Sequence, residues 1–222
     1  MTGSNLLEKK TAKKIDRASA LALMKRDEDN LELADGDGRE RMQVYFFGEP
    51  SITAGRNIRI SNEQIDEWNS KGYAFAKRPT GGGILRHQFD LCFGIVFPFP
   101  NKFPGELFTL VADATAYSLA KLGIATAIPH SKETTAPRFC FEKAVGPELT
   151  FQGKKILGLA ARKKKNATLI QGTLAVKSEP NADADVSIEG PKIDLSQTKF
   201  DESIFVEEFL KKVREEMIEL AL

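Results

Sequence analysis

Three consecutive glycines, Gly81 to Gly83, limit how this chain can fold more than any other feature. Each glycine loses more backbone freedom on folding than another residue would, so a run of three inside a packed domain has an entropic cost. Two structures justify that cost. One is a hairpin or bulge that needs glycine for its backbone angles. The other is a loop whose bare amides approach the oxygens of a bound carboxylate or phosphate.

Basic residues flank the run on both sides: Lys77, Arg78, Arg86 and His87. They suit an anion site, but the segment by itself leaves both structures open. The run lacks the spacing of G-x-G-x-x-G, and the chain contains no G-x-x-x-x-G-K-[ST]. A nucleotide at this loop would therefore be held by a different scheme.

The pattern of apolar residues predicts an α+β fold with a mixed, largely antiparallel sheet and packed helices. Helical spacing or helix caps occur at 13–29, 61–72, 104–122 and 201–222. Strand patterns occur at 42–55, 73–78, 90–99 and 148–176, the last as a meander. The intervening polar stretch suggests one large domain at 1–178, followed by a linker and C-terminal helix, a small appendage, at 179–222.

Composition narrows the class of protein. The formal net charge of +1 gives no reason to expect a nucleic-acid partner. No apolar run approaches the roughly 18 residues that a membrane span needs. The polar, lysine-rich N-terminus does not resemble a secretory signal, and two cysteines do not form a disulfide framework. We therefore expect a cytoplasmic protein that acts without a membrane.

Lys155 lies in the segment FQGKKILGLA, where the alternation predicts a strand. A lysine in such a strand points either outward to water or inward to a ligand, and from the residues alone the solvated lysine is favoured. The nearby RKKKN, residues 162–166, is typical of a charged hairpin tip, with a patch for an acidic partner as the weaker alternative.

Three segments, in order, resemble the lipoate–protein ligase A family and its relatives, the octanoyl transferases and biotin-ligase-like catalytic domains. Phe46–Asn57 has a Pro-Ser followed by Gly-Arg. Lys77–His87 is similar to an Arg-Arg-x-[Ser/Thr]-Gly-Gly-Gly-x-x-x-His stretch, and Gly153–Val176 to a Gly-x-Lys-[Ile/Val]-x-Gly-x-Ala segment with its following Gly-[Ser/Thr]-Leu strand.

The resemblance implies an α+β catalytic domain of the biotin/lipoate ligase-like fold. It implies that a lipoyl or octanoyl group becomes amide-linked to a lysine of a lipoyl-carrier domain. Such carriers belong to 2-oxoacid dehydrogenase complexes or the glycine-cleavage system. In the ligase version, lipoic acid and ATP form an acyl-adenylate with Mg²⁺ assisting. Neither a tightly bound cofactor nor a protein metal site is expected.

The resemblance also assigns residues. It makes Lys155 the catalytic lysine, which replaces the solvated interpretation. The binding residues for ATP and lipoate would be Arg78, Thr80, Gly81, Gly82, Gly83, His87, Gly158, Ala160 and Gly172. A lysine cation with preorganised amides is what acyl activation and amine attack require, because both steps develop negative charge.

The chain departs from the family pattern at two glutamines, Gln88 and Gln171, and Gln171 stands where a histidine is usual. Cys140, in a Cys-Phe pair, matches the nucleophile position of a cysteine-dependent octanoyl transferase. It would take the acyl group from acyl carrier protein as a thioester. Cys92 lies in an apolar strand and is predicted to be an ordinary buried thiol. A third alternative is a non-catalytic protein that binds lipoate or lipoyl domains.

Overall fold

The computed structural model describes residues 15–128, 149–177, 195 and 198–221. Within these ranges the chain forms four helices and ten strands. The helices are α1 (Ala20–Asp37), α2 (Asn62–Ser70), α3 (Pro104–Lys121) and α4 (Glu202–Ala221). The strands are β1 (Asp16–Ala18), β2 (Arg41–Phe47), β3 (Ser51–Ala54), β4 (Ala74–Lys77), β5 (Ile84–His87), β6 (Asp90–Phe97), β7 (Thr150–Phe151), β8 (Lys154–Lys155), β9 (Leu157–Lys163) and β10 (Thr168–Ala175).

The main sheet has five strands in the order β1-β2-β6-β10-β9, and a second sheet has the order β4-β3-β5. Strands β7 and β8 form a separate two-stranded hairpin. The pairs β1–β2 and β3–β4 are parallel, and every other described pair is antiparallel. The prediction of an α+β fold with a mixed, largely antiparallel sheet is therefore confirmed.

One face of the main sheet packs against α3 and α4 and forms the largest apolar core. At its centre the ring of Phe93 on β6 packs against Phe209 of α4, with ring centroids 4.8 Å apart. Gly172 is opposite Phe93 on the neighbouring strand β10. A Cβ atom at Gly172 would overlap the Phe93 ring, so the glycine leaves the space that the ring fills.

The opposite face of the main sheet carries a row of polar and small residues. Register places Gln43, Gly94, Gln171 and Ala160 side by side across the strands, and Tyr45, Cys92, Thr173 and Gly158 in the next row. Helix α1 packs on this face. The three-stranded sheet also contacts it, through Ala76 of β4 and His87 of β5. Polar side chains are therefore buried between the two sheets.

Helix α1 differs from the helix expected at 13–29. Residues 16–18 form β1 instead, because they pair in parallel with β2. The helix begins after Ser19, whose hydroxyl accepts the amide of Ala22 at 3.4 Å. It continues past the expected break to Asp37, and Gly38 ends it with φ +68°. A left-handed cap suits glycine, so the second glycine of the ADGDG stretch ends the helix.

The other helical boundaries agree with the sequence signals. Ser61 and Gln64 form the expected capping box at the start of α2. Helix α3 begins at Pro104 and stops before Gly123, which has φ +76°. The predicted meander at 148–176 is antiparallel, but it divides between two sheets, because β7 and β8 form a hairpin that is separate from the main sheet.

The predicted charged hairpin tip, between β9 and β10, lies against α1. Arg162 forms an ion pair with Glu28 at 2.8 Å, and Lys164 pairs with Glu32. The amide of Asn166 donates to Asp35 Oδ1 at 2.6 Å. Two of the four basic residues of the tip, Arg162 and Lys164, are therefore paired with carboxylates of α1. The alternative of a patch for an acidic partner stays a prediction. No helix of the described residues is long and apolar enough to span a membrane.

The packing at Gly172 gives a test of the fold. We expect Gly172→Ala to lower the free energy of unfolding by about 1–3 kcal/mol, because the added methyl group displaces the Phe93 ring from Phe209. Urea denaturation followed by circular dichroism measures the change. Gly36→Ala is the matched control, since nothing lies within 4 Å of a Cβ there. An unchanged stability for Gly172→Ala would contradict this packing role.

Candidate active site

The glycine loop, residues 79–83, connects β4 to β5 and lies between two other segments. The amide of Gly55 donates to Gly83 O at 3.1 Å, and the amide of Arg56 donates to Thr80 O at 2.9 Å. On the other side the amide of Gly81 donates to Ala161 O at 3.4 Å. All three segments that carry the family resemblance therefore meet at this loop.

Gly55 makes the close contact between two of these segments possible. A Cβ atom at this position would overlap the backbone of Gly81 and the carbonyl oxygen of Gly82. Gly82 itself has φ +90° and is exposed, a conformation that favours glycine. The glycine run is thus a loop with a required backbone geometry rather than the turn of a two-stranded hairpin.

Arg78 shapes the loop from inside. Its buried guanidinium donates to the carbonyl oxygens of Gly81 at 3.1 Å and Gly83 at 2.8 Å. The other terminal nitrogen donates to the carbonyl oxygen of Thr53 at 3.2 Å and to its hydroxyl at 2.7 Å. The planar fork of an arginine suits several oxygens at once. The predicted contact of Arg78 with a phosphate stays a prediction.

The direction of these hydrogen bonds determines which way one loop amide points. In a trans peptide unit the C=O and the following N–H point in opposite directions. Because the Gly81 carbonyl is turned inward to Arg78, the amide of Gly82 in the same peptide unit is turned outward. Arg78 therefore orients an exposed N–H donor, the type of group that an oxyanion accepts from.

His87 lies between the two sheets and is held on three sides. Its Nε2 is 2.7 Å from the hydroxyl of Thr53, and its Nδ1 is 2.5 Å from Oδ2 of Asp90. Its ring stacks on Phe47 with centroids 4.2 Å apart. Thr53 also accepts a hydrogen bond from Arg78, so His87 and Arg78 share one partner. A direct contact with ligand stays a prediction.

Asp90 joins His87 to two side chains of the main sheet. The hydroxyl of Thr173 donates to its Oδ2 at 2.5 Å, and the thiol of Cys92 donates at 3.2 Å. Burial alone would raise the pKa of Asp90, but the charge of His87 and these hydrogen bonds outweigh it and lower the pKa. Asp90 was not among the predicted site residues. Its only sequence signal is a carboxylate at the start of an apolar strand.

Cys92 is an unsuitable nucleophile. Burial, with the nearby Asp90 carboxylate, raises the pKa of its thiol well above the ordinary value. The prediction of an ordinary buried thiol is therefore confirmed. His87, Asp90 and Cys92 place ligand-type atoms within 4.8 Å of one another. However, these atoms hydrogen-bond to each other, whereas a metal-bound cysteine is a thiolate.

A second buried network, also missed from sequence, surrounds Asp27 of α1. Its carboxylate accepts from the Tyr45 hydroxyl at 2.8 Å, from Gln171 Nε2 at 2.6 Å and from Gln43 Nε2. Burial raises the pKa of Asp27 despite the hydrogen bonds from Gln43, Gln171 and Tyr45. Gln171 Oε1 also accepts from the hydroxyl of Thr80 at 2.5 Å, so this network reaches the glycine loop.

Lys155 lies on the short hairpin β7–β8, as the strand prediction requires. The turn of this hairpin consists of Gln152 and Gly153, both with positive φ. Lys155 is half-buried, whereas its neighbour Lys154 is exposed. Thr150 pairs with Lys155 on one side and forms a bridge to Ala127 on the other. The catalytic role of Lys155 stays a prediction.

Cys140 lies outside the described residues, and so do all other positions from 129 to 148. The chain leaves the described part after Ile128 and returns at Leu149. The Ala127–Thr150 bridge therefore brings the two ends of the Cys140-containing segment together, directly beside the Lys155 strand.

The remaining predicted binding residues divide between the two faces of the main sheet. Gly158 and Ala160 of β9 pair with Thr173 and Gln171, on the face that the glycine loop covers. Gly172 belongs to the opposite face, where the Phe93 ring occupies its free side. This geometry does not bring Gly172 to the loop. Its role in binding stays a prediction.

The chain is similar to a known protein family and to a curated relative. A family model described as the lipoyl protein ligase A/B catalytic domain matches residues 20–218. The octanoyltransferase LipM of Carboxydothermus hydrogenoformans is 27% identical over 155 residues, which cover 67% of this chain and 57% of that relative. The chain thus spans little more than half the length of this curated relative.

Two solved structures share the fold. Lipoate-protein ligase A bound with ATP has a TM-score of 0.75 at 18% identity, with 90% of this chain and 83% of that chain covered. A bi-partite lipoate protein ligase from Thermoplasma acidophilum, described with its E2 lipoyl domain, has a TM-score of 0.66 at 17% identity, with 90% and 81% covered. At these identities the likeness establishes the fold alone.

The hydrogen bonds of Arg78 predict that lysine cannot replace it. We expect Arg78→Lys to lower the free energy of unfolding by about 2–4 kcal/mol, because a single ammonium cannot bind the loop carbonyls and Thr53 together. Lys77→Arg, at the exposed neighbouring position, should change stability by less than about 0.5 kcal/mol. Chemical denaturation of both variants checks this. Equal stability of Arg78→Lys and wild type would contradict the role of the guanidinium.

Proposed function

The chain belongs to the lipoyl protein ligase A/B catalytic domain family, and we propose on this basis that it transfers an octanoyl or lipoyl group to a lysine of a carrier domain. The observation that carries the proposal is the family match over residues 20–218. The curated relative is named an octanoyltransferase, and this name favours one version. In that version we propose that the acyl group comes from acyl carrier protein. In that version Cys140 is the nucleophile.

The proposed reaction has two acyl-transfer steps. In the first, the Cys140 sulfur attacks the carbonyl carbon of the carrier thioester, and the carrier thiol leaves with the proton that Cys140 gave up. In the second, the amine of the acceptor lysine attacks the Cys140 thioester. An amide forms, the Cys140 sulfur leaves, and it takes up the proton that the amine loses.

Both steps pass through an oxyanion, and two groups of the described residues suit its stabilisation. The exposed amide of Gly82 is preorganised by Arg78, which prevents it from turning away. The ammonium of Lys155 would supply positive charge from the strand beside the ends of the Cys140-containing segment. Cys92 is not an alternative nucleophile, because its thiol is buried and its pKa is raised.

A second candidate is the ATP-dependent ligase, which the likeness to a lipoate-protein ligase A bound with ATP favours. Here the Gly82 amide and Lys155 would contact the lipoate carboxylate and the α-phosphate of ATP as the acyl-adenylate forms. Arg56 and Lys77 are exposed beside the loop and could approach the other phosphates. Mg²⁺ would neutralise part of the triphosphate charge.

The proposed acceptor is a lipoyl-carrier domain in either version. The Thermoplasma ligase is described with its E2 lipoyl domain, so a protein with this fold is paired there with such a carrier. For the octanoyltransferase version the donor is acyl carrier protein. The family's glycine-cleavage carrier protein is a further acceptor to test, and the cytoplasmic location stays a prediction.

Intact-mass analysis separates the two versions. We expect a lipoyl domain to gain an octanoyl group when it is incubated with this protein and octanoyl-acyl carrier protein, because Cys140 relays the group. Cys140→Ala should abolish the transfer, and the matched control Cys92→Ala should retain it. Equal transfer by wild type and Cys140→Ala would reject the thioester route. Modification only with lipoate, ATP and Mg²⁺ would establish the ligase version, and binding without modification would reject both.

A comparison of adjacent lysines tests the catalytic role of Lys155. We expect Lys155→Ala to lower kcat/KM roughly 10²–10³-fold, because the oxyanion would lose the positive charge that Lys155 is proposed to supply. Lys154→Ala, at the exposed neighbouring position, should stay within about twofold of wild type. Steady-state transfer to a lipoyl domain measures both. Similar losses in the two variants would show that Lys155 acts through the general charge of the hairpin.

A further inference from the structure

A buried chain of hydrogen bonds runs from helix α1 to the glycine loop through three side chains, which we call the relay: Asp27, Gln171 and Thr80. We propose that Asp27 and Gln171 are positioning residues that hold the glycine loop in place through the hydroxyl of Thr80. The inference concerns the loop itself, and only its kinetic consequence rests on the proposed function.

The polarity of the relay is determined by Gln171. Its Nε2 can only donate, and it does so to Oδ2 of Asp27 at 2.6 Å. Its Oε1 can only accept, and it does so from the hydroxyl of Thr80 at 2.5 Å. The hydroxyl of Thr80 therefore donates its proton to Gln171, and this hydrogen bond fixes the rotamer of Thr80.

Asp27 gives the relay a rigid base. Its side chain is fully buried and also accepts from Tyr45 and Gln43 on β2. The carboxylate lies directly over Gly94 of β6, where a Cβ atom would overlap it. The sheet thus has a space that admits this carboxylate. Its Oδ2 accepts from both Tyr45 and Gln171, and its Oδ1 accepts from Gln43.

Helix α1 cannot easily move away from this base. The ion pair between Arg162 and Glu28 and the hydrogen bond from the Asn166 amide to Asp35 fasten it to the β9–β10 hairpin. The relay therefore begins on an element that is attached to the sheet at several points along its length.

The glycines explain why the loop needs such external support. Three residues without side chains cannot restrict their own backbone. Arg78 holds the carbonyl groups of Gly81 and Gly83. Thr80, the residue before the glycines, is held by its carbonyl through Arg56 and by its hydroxyl through the relay. Three supports, Arg78, the Arg56 amide and the relay, therefore hold the ends of the run.

Hydrogen exchange of the loop glycines tests the relay without any activity assay. The protein is labelled with ¹⁵N-glycine, and amide exchange at Gly81 and Gly83 is followed by NMR. We expect Gln171→Met and Thr80→Val each to speed this exchange roughly tenfold, because each removes the relay hydrogen bond to the loop. The double variant should exchange no faster than either single variant, and Thr80→Ser should exchange like wild type.

The control is Asp29→Asn, which removes an exposed carboxylate from the same helix outside the relay, where it pairs with Lys25 one turn away, and should leave the loop amides unchanged. Unchanged exchange in Gln171→Met and Thr80→Val would overturn the proposal. Additive effects in the double variant would overturn it as well, since the two residues would then act separately. If Gln171→Met does not fold, Thr80→Val still tests the last bond of the relay.

Kinetics provide the functional readout. We expect Asp27→Asn to lower kcat more than it raises KM, because a displaced loop no longer fits the transition state. Thr80→Ser should restore most of the rate that is lost in Thr80→Val. An effect confined to KM would contradict a role in positioning. Because loop exchange is measured independently, an inactive wild-type protein would count against the proposed function and leave the relay test intact.

Discussion

The hydrogen bonds of the Arg78 guanidinium are the interactions on which the site depends. It binds the carbonyl oxygens of Gly81 and Gly83 and the backbone and side chain of Thr53, so one cation joins the loop to the adjacent strand β3. Since a peptide unit cannot turn its C=O inward without turning its N–H outward, the same bonds leave the Gly82 amide exposed. A flexible glycine run thereby becomes a preorganised donor.

One face of the main sheet contributes mainly to stability, and the other face carries the candidate active site. Aromatic and aliphatic side chains on the α3 and α4 side form the largest apolar cluster of the described residues. The opposite side buries two polar networks, one around Asp27 and one around His87 and Asp90. Such networks cost little only when their members are hydrogen-bonded. Both end at residues that hold the glycine loop, Thr80 in one and Thr53 in the other.

The departure from the family pattern at Gln171 has a physical interpretation in this network. The position needs a donor toward Asp27 and an acceptor toward Thr80, and a glutamine amide offers both. A neutral imidazole offers the same pair, so a glutamine can stand where the family pattern has a histidine. Gln171 therefore gives little reason to prefer a non-catalytic protein.

Local sequence determined the elements and the order of the motifs. Alternation, helix caps and the glycine stops predicted most helices and strands, because each depends on residues a few positions apart. The strand of Lys155 likewise follows from its immediate neighbours. The role of Cys140 stays a prediction.

Tertiary structure alone decided the partners of Arg78, the burial of Asp27 and the position of Gly172. Asp27 lies between charged residues in a helix, like a solvated side chain, and Gln171 is 144 positions away. Only the packing of α1 onto the sheet brings them together.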